Sequence, residues 1–226
     1  RAHPTIVCPD RYDGAVTARR NGADAIILDD GLLSSGLLKT VRFCVIDSAM
    51  GFGNGATIPS GPLRVPLERG FASVDAFIIL GHDFVIPPTL QRLLPPSIPV
   101  FSARRDVDVV RPIDGSASSD AAAAASYIGF CGLGYPDKFR QTLAASGLSL
   151  TDFVSFADHH PYTGADLAAL GERARAASSR LITTEKDAVR IPLDCPERRL
   201  IDVLPITVTL EDEDGLIRLL RGYYPS

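Results

Sequence analysis

Short apolar runs alternate with polar loops and helical segments along the chain, and this alternation restricts the fold more than any other feature. The runs at residues 25–28, 43–46 and 76–80 are free of charge, and each is followed by an aspartate or a glycine. Runs of this length are typical of buried parallel strands, which are joined by crossover helices. The pattern therefore predicts an α/β fold with parallel sheets.

The same pattern predicts two domains, a sheet core over residues 1–117 and a smaller α/β domain over residues 118–226. The small polar residues of 114–120 favour a linker between them. Further strands are predicted at residues 5–8, 98–101, 107–111, 126–131, 153–156, 181–183, 200–203 and 206–210. Helices are predicted at residues 13–21, 89–94, 137–146, 163–177 and 211–220, the fourth opening on a capping box.

Composition excludes several classes of protein. Hydrophobic residues make up 46% of the chain and charged residues 22%, which is typical of a globular protein and not of a disordered one. The 23 basic and 27 acidic residues give a net charge of −4, which argues against nucleic-acid binding. No apolar run approaches the roughly 20 residues of a membrane-spanning helix. Four widely separated cysteines indicate buried free thiols in a reducing compartment.

The chain begins at Arg1 without a methionine or a signal peptide, so we expect it to be the inner part of a longer protein. The Walker A pattern GxxxxGK[ST], which cradles nucleotide phosphates, occurs nowhere in the 226 residues. We therefore expect the chain by itself to be an inactive fragment.

Asp29 and Asp30 follow the predicted strand at residues 25–28. Ligands bind at the carboxyl ends of strands in open α/β sheets, and paired carboxylates suit Mg²⁺. The pair therefore suggests a Walker B-like magnesium site. A simple turn is the alternative, because Asp and Gly favour turns.

A glycine-rich stretch, Gly51-Phe-Gly-Asn-Gly55, precedes Pro59-Ser-Gly-Pro-Leu-Arg64. Its backbone N–H groups could approach a phosphate, and Arg64 could add a bidentate contact. A surface loop with tight turns explains the same composition.

Two adjacent histidines occur in Asp158-His159-His160, after the predicted strand at residues 153–156. A histidine beside an aspartate is a candidate general base, and a pair of solvated loop histidines is the alternative. The later stretch Thr184-Glu-Lys-Asp187 could position phosphates, but Thr184 as a helix cap is the simpler interpretation.

Taken in order, five stretches resemble tetraacyldisaccharide 4′-kinases, the lipid A pathway kinases of Gram-negative bacteria. They are Leu28-Asp-Asp-Gly31, Gly51-Phe-Gly-Asn-Gly55, Pro59-Ser-Gly-Pro-Leu-Arg64, Phe156-Ala-Asp-His-His160 and Thr184-Glu-Lys-Asp-Ala188. The resemblance implies a P-loop-NTPase-like parallel sheet core, present here in part, followed by a smaller α/β domain. It also implies transfer of the ATP γ-phosphate to the 4′-hydroxyl of a tetraacylated glucosamine disaccharide 1-phosphate.

The resemblance also assigns roles to residues of this chain. Asp29 and Asp30 would hold Mg²⁺, with Asp30 catalytic, and His159 would be the catalytic histidine. Arg11, Asn54 and Arg64 would contact the ATP cofactor. The implied partners are ATP and the lipid A disaccharide precursor. The implied location is the cytoplasmic face of the inner membrane, contacted peripherally through a segment that lies outside this chain.

The sequence departs from the family pattern at two places. Leu32, Leu33 and Ser34 stand where the family has an aromatic residue, Gln and His, and Val65 stands where it has Glu. These departures leave open a degenerate, non-catalytic homologue that binds phosphorylated lipid or nucleotide. An unrelated flavodoxin-like or Rossmann-like enzyme would explain the alternating pattern but not the five motifs.

Overall fold

The computed structural model describes residues 3–115 and 126–224. These residues form two compact units, which we call unit 1 (Arg1–Arg105 with Val208–Ser226) and unit 2 (Asp106–Thr207). The predicted domains divide the chain later, after residue 117, and assign the whole C-terminal part to the second domain. The difference arises because the strand at Ile206–Leu210 joins the sheet of unit 1. Residues 116–125, with most of the predicted linker, lie outside the described residues.

Unit 1 is built around a sheet with the strand order β1-β2-β3-β9. Its elements are α1 (Arg11–Arg20), β1 (Phe43–Asp47), α2 (Leu67–Phe71), β2 (Ala76–Gly81), α3 (Pro88–Gln91), β3 (Val100–Val107), β9 (Ile206–Leu210) and α7 (Glu213–Tyr223). The strands β1, β2 and β3 are parallel, with Phe43 opposite Ala76 and Phe77 opposite Val100. The apolar core of unit 1 gathers on these strands and on the residues that connect them: Ile46, Val74, Phe77, Ile79, Leu90 and Leu94.

Unit 2 contains a sheet with the strand order β4-β8-β7-β5-β6. Its elements are β4 (Arg111–Pro112), β5 (Tyr127–Cys131), α4 (Pro136–Ala145), β6 (Leu150–Ser155), α5 (Gly164–Ala176), β7 (Arg180–Thr184), α6 (Glu185–Ala188), a 3₁₀ helix (Pro196–Leu200) and β8 (Ile201–Leu204). Strands β5 to β8 pair in parallel, and β4 pairs with β8 in the antiparallel direction.

Helices cover both faces of the sheet in unit 2. Since side chains alternate between the two faces along each strand, neighbouring residues of one strand pack against different helices. Ile128 and Phe130 of β5 pack with Leu167 and Leu170 of α5. On the other face, Tyr127 packs in the cluster that contains Phe139 and Leu143 of α4. Every residue of β5 and β8 is buried, as expected for central strands of a parallel sheet.

Two predicted strands at the start of the chain are wrong. Residues 5–8 and 25–28 are irregular, and no described strand pairs with either run. Their side chains are correspondingly open to solvent: Val7 is 96% exposed and Ile27 97% exposed. An apolar run becomes a strand only when a neighbouring strand binds its backbone groups.

The structure also differs from the two strands predicted at residues 98–101 and 107–111. A single strand, β3, covers most of this region and pairs with β2 on one side and β9 on the other. Arg111 belongs to a separate short strand that pairs with β8. The two strands of this region thus belong to different sheets.

Most other predicted elements are confirmed. The strands β1, β2, β5 and β7 and the helices α1, α4 and α5 lie within one or two residues of their expected ends. Thr163 and Asp166 form the predicted capping box at the start of α5. All four cysteines are free, but only Cys131 is buried and the others are half-buried. Within residues 3–115 and 126–224, no helix is long and apolar enough to cross a membrane.

Candidate active site

Three of the predicted site residues of unit 1 meet around Asp30. The Nη1 atom of Arg64 donates to Oδ2 of Asp30 at 3.1 Å. The Nη2 atom of Arg11 lies 3.4 Å from the carbonyl oxygen of Asp30. Both partners of the Arg64–Asp30 ion pair are well exposed, and exposed pairs contribute about 0–1 kcal/mol to stability. The arrangement therefore concentrates charge at the surface without contributing much to the fold.

Asp29 and Asp30 lie in a turn, as the alternative interpretation of this pair predicted, and not at the end of a strand. The backbone of Asp30 is left-handed, with φ of 48°, a conformation that Asp tolerates better than most residues. The next residue, Gly31, is tightly packed, since a Cβ atom there would lie 2.6 Å from Cβ of Leu28. The chain therefore bends sharply and leaves both carboxylates exposed.

Asp29 and Asp30 offer two adjacent carboxylates, which is the ligand type that Mg²⁺ takes but not a complete set of ligands. No group of three or more metal-ligating side chains occurs within residues 3–115 and 126–224. Mg²⁺ is commonly bound through one or two carboxylates, with water and phosphate oxygens completing its shell. The carboxylate of Asp30 accepts a hydrogen bond from Arg64, and the carboxylate of Asp29 does not. Of the two candidate ligands, Asp29 is therefore the more accessible to a cation.

Asn54 shapes the glycine-rich loop of unit 1 through its side chain. Its Nδ2 donates to the carbonyl oxygen of Ser60 at 2.8 Å, and its Oδ1 accepts from the N–H of Ala56 at 3.1 Å. Gly61 lies so close that a Cβ atom would be 2.2 Å from this Oδ1 atom. The predicted cofactor residue therefore bridges the two halves of its own loop.

The two neighbouring histidines of unit 2 have different surroundings. His160 is half-buried, stacks on Phe156 with ring centroids 4.7 Å apart, and its Nε2 lies 3.0 Å from Oδ2 of Asp166. His159 is 67% exposed and has a left-handed backbone with φ of 59°. The turn that holds both residues therefore anchors one imidazole in the structure and presents the other to solvent.

His159 contacts Arg190, a residue that the sequence motifs did not single out. The Nη2 atom of Arg190 lies 2.9 Å from Nδ1 of His159. Another nitrogen of the same guanidinium, Nη1, donates to Oδ1 of Asp187 at 3.1 Å. Asp187 is completely buried, and its pairing with Arg190 follows the i, i+3 spacing on one short segment. That spacing is the signal that could have identified the pair.

Gly132 connects the parts of this cluster through its backbone. Its N–H donates to Oδ1 of Asp187 at 3.2 Å, and its carbonyl oxygen accepts from the N–H of His159 at 3.1 Å. Thr184 caps α6 as predicted, because its hydroxyl accepts from the N–H of Asp187 and donates to Oδ2 of the same residue. Gly132 and the stretch of residues 184–190 thus fix the position of His159.

Replacing Gly132 by Ala should displace the turn that carries His159. The new Cβ atom would lie 3.1 Å from the carbonyl oxygen of Ala157 and 3.2 Å from Cβ of His160. We expect a loss of about 1–3 kcal/mol in the free energy of unfolding, the usual cost of overpacking. Denaturant titration measures this loss. Gly134→Ala is the control, since its nearest neighbour is the carboxylate end of Asp158; equal losses in both variants would contradict the prediction.

Asp166 should make the stability of unit 2 depend on pH in the acid range. Hydrogen bonds from Thr163 and His160 lower the pKa of Asp166 from 3.8 to about 2. Because the folded pKa lies below the unfolded one, the stabilisation is complete above about pH 4 and is lost as pH falls towards 2. We expect Asp166→Asn to cost about 1 kcal/mol near neutral pH, the worth of a helix cap, and progressively less in acid.

Urea titration of both forms across this pH range measures the difference in unfolding free energy. Asp194→Asn, an exposed aspartate of the same unit, is the matched control and should show no such trend. A difference that stays constant down to pH 2 would show that the charge of Asp166 does not contribute.

The described residues form two units with mainly parallel sheets, so the chain is an α/β protein, and it carries an exposed Asp–Arg contact in unit 1 and a His–Arg contact in unit 2. The model of the tetraacyldisaccharide-1-P 4′-kinase family matches residues 1–224. The chain belongs to this family. The resemblance drawn from the five sequence motifs is thereby confirmed.

Curated relatives are similar over nearly the whole chain. A tetraacyldisaccharide 4′-kinase of Rhodopseudomonas palustris is 38% identical over 97% of this chain and 63% of its own length. One of Methylobacterium nodulans is 38% identical over 98% of this chain and 62% of its own length. A crystal structure of LpxK from Aquifex aeolicus in complex with ATP has a TM-score of 0.69 and 22% identity, covering 95% of this chain and 62% of that one. The chain thus spans less than two thirds of the length of these proteins.

Proposed function

We propose that the full-length protein carrying this sequence transfers the γ-phosphate of ATP to the 4′-hydroxyl of a tetraacylated glucosamine disaccharide 1-phosphate. The observation that carries the proposal is the cluster of Arg11, Asp30 and Arg64, which gathers site residues from three separate stretches of a chain that belongs to the kinase family. Phosphoryl transfer depends mainly on positioning and on neutralising phosphate charge, and this cluster offers two cations and one carboxylate.

In this proposal the charged residues of unit 1 hold the nucleotide end of the reaction. Asp29 and Asp30 are the residues that would hold Mg²⁺, which neutralises phosphate charge when it is bound. Arg64 and Arg11 bring donors to the phosphate oxygens, and the fork geometry of Arg64 suits a bidentate contact. Asn54 acts by keeping the glycine-rich loop in shape.

His159 is the residue of unit 2 that we assign to the lipid-substrate end of the reaction, because it is exposed while its neighbour His160 contacts Asp166. The lipid A disaccharide precursor and ATP are the proposed partners. We also propose a peripheral site of action at the cytoplasmic face of the bacterial inner membrane, where this lipid precursor would be met.

The direct test is a kinase assay of the full-length protein with Mg-ATP and the tetraacylated disaccharide 1-phosphate, followed by mass spectrometry of the lipid. We expect a gain of one phosphate at the 4′ position, and no gain when the 4′-hydroxyl is already phosphorylated. Equal phosphorylation of an unrelated sugar lipid would contradict the proposed substrate.

A second candidate function is favoured by the substitutions at Leu32, Leu33, Ser34 and Val65, which replace residues of the family pattern. In this alternative the protein binds phosphorylated lipid or nucleotide without transferring phosphate. Saturable binding of the disaccharide with no phosphorylated product, under conditions in which a curated relative reacts, would support it.

The 226-residue chain alone should bind Mg-ATP weakly. It has no GxxxxGK[ST] stretch, and such a stretch supplies most phosphate contacts through its backbone N–H groups and lysine. We therefore expect a dissociation constant no better than about 1 mM, equivalent to ~4 kcal/mol. Titration calorimetry measures it. A micromolar constant would show that the phosphate site lies within these residues.

A further inference from the structure

We propose that Arg190, anchored on the buried Asp187, is a positioning residue for His159 that presents the Nε2–H group of the imidazole as a hydrogen-bond donor. The catalytic consequence rests on the proposed kinase function. The hydrogen-bond arrangement itself rests only on the geometry of unit 2.

The contact between Arg190 and His159 determines which imidazole nitrogen carries the proton. The Nη2 atom of Arg190 is 2.9 Å from Nδ1 of His159. A guanidinium has only donors, and it stays protonated in proteins. The Nδ1 atom must therefore accept this hydrogen bond, and the proton of the neutral imidazole must lie on Nε2.

The guanidinium of Arg190 can determine the tautomer of His159 because other hydrogen bonds hold it in place. Its Nη1 atom donates to Oδ1 of Asp187 at 3.1 Å and to the carbonyl oxygen of Gly132 at 3.3 Å. Asp187 is itself fully buried and held by the hydroxyl of Thr184 at 2.7 Å. Arg190 is 19% exposed, so a rigid and largely buried cation underlies an exposed imidazole. The planar fork of arginine can bind these acceptors together, whereas the ammonium group of lysine is a point charge.

The surroundings of Nε2 are consistent with a proton on that nitrogen. Oδ2 of Asp158 lies 3.8 Å from Nε2 of His159. This distance exceeds that of a hydrogen bond, but a carboxylate on that side favours the protonated nitrogen. The backbone N–H of His159 also donates to the carbonyl oxygen of Gly132, which fixes the turn relative to Arg190.

A donor at Nε2 limits what His159 can do in catalysis. This nitrogen cannot take the proton of a sugar hydroxyl, because it already carries one. It can donate to a carboxylate or a phosphate oxygen and hold that acceptor in place. We therefore assign an orienting role to His159 in place of the general-base role suggested by the sequence.

Imidazole ¹⁵N spectra of the 226-residue chain test the arrangement without any kinase activity. The chain has four histidines, and the variant His159→Gln identifies the signals of His159. The spectra are recorded about two pH units above the ordinary histidine pKa of about 6.5. We expect His159 to show one tautomer, with Nε2 protonated and Nδ1 accepting a hydrogen bond. A protonated Nδ1 in the unaltered chain would overturn the proposal.

Two variants separate the role of Arg190 from general stability. In Arg190→Met, both nitrogen shifts of His159 should move towards averaged values as the second tautomer becomes populated. Arg190→Lys keeps a cation beside Asp187, and we expect it to move the nitrogen shifts of His159 in the same way. This variant replaces Arg190→Met in the test if the Met variant does not fold. Arg175→Met is the control, because Arg175 pairs with Glu197 at the surface of the same unit. Shifts unchanged in a folded Arg190 variant, or moved equally in the control, would overturn the proposal.

The catalytic consequence is measured separately in the full-length protein. We expect Arg190→Lys to lower kcat by about 10²-fold with little change in KM, since small misplacements of a catalytic group cost about this much. A normal kcat together with a changed tautomer would overturn the orienting role. Absence of any kinase activity in the unaltered protein would overturn the proposed function and leave the spectroscopic result standing.

Discussion

Replacing His159 by Ala in the full-length protein is expected to lower kcat by about 10²–10⁴-fold, the range in which acid–base groups and their orientation contribute. The imidazole is exposed and held by Arg190, so it is available to act on a substrate or on an acidic group. The affinity for ATP should change little, because the residues assigned to the nucleotide lie in unit 1. Steady-state kinetics with both substrates measures kcat and KM separately.

His160→Ala provides the matched control for this experiment. His160 stacks on Phe156 and contacts Asp166, so its removal should lower stability and change kcat far less. Equal losses of kcat in the two variants, or a loss confined to KM in His159→Ala, would contradict the assignment of the first histidine.

Asp30→Asn is expected to reduce Mg²⁺-dependent turnover of the full-length protein by more than about 10²-fold, because a neutral amide holds a cation poorly. The fold should survive, since Asn accepts the left-handed backbone found at this position. Loss of the exposed pair with Arg64 should cost at most about 1 kcal/mol. Kinase rates across a Mg²⁺ titration and a thermal unfolding curve measure the two effects.

Asp24→Asn is the control for Asp30, as an exposed aspartate of the same segment. It should keep both turnover and the Mg²⁺ dependence. Near-normal rates in Asp30→Asn would show that the metal assignment is wrong, and a large loss in Asp24→Asn would indicate a general effect of charge.

Much of the fold follows from local sequence signals. The strands β1, β2, β5 and β7 are apolar runs that become buried, and Gly22 ends α1 with the positive φ expected of it. The capping box of α5 was visible because Thr163 and Asp166 have the required spacing. These features depend on a few neighbouring residues, so the sequence alone identifies them.

The incorrect predictions concern strands, whose formation depends on residues that are distant in the sequence. The run at residues 25–28 is apolar enough for a strand, but no described strand pairs with it. The return of β9 to the sheet of unit 1 likewise has no local signal, because β9 pairs with β3, about 100 residues earlier in the chain. Strand pairing is a long-range property, and apolar composition does not specify it.

Only part of the candidate site could be predicted, because its contacts also join residues that are distant in the sequence. Asp30 and Arg64 were candidates from the residue pattern and Arg11 from the family resemblance, and the structure brings the three together. The support of His159 was missed, because Asp187 was considered only as part of a helix cap or a phosphate-positioning stretch, and Arg190 was not considered. A buried acid and its arginine are recognised once their contact with Gly132 and His159 is known.

His160 ties the turn that presents His159 to the first turn of α5, because His160 and Thr163 share the carboxylate of Asp166. Local opening of that turn must therefore break the helix cap as well, so the two segments should open as one cooperative unit. Amide hydrogen exchange would show this as common protection for residues of both segments. A ligand that engages His159 should slow exchange in the first turn of α5, a segment that it need not touch.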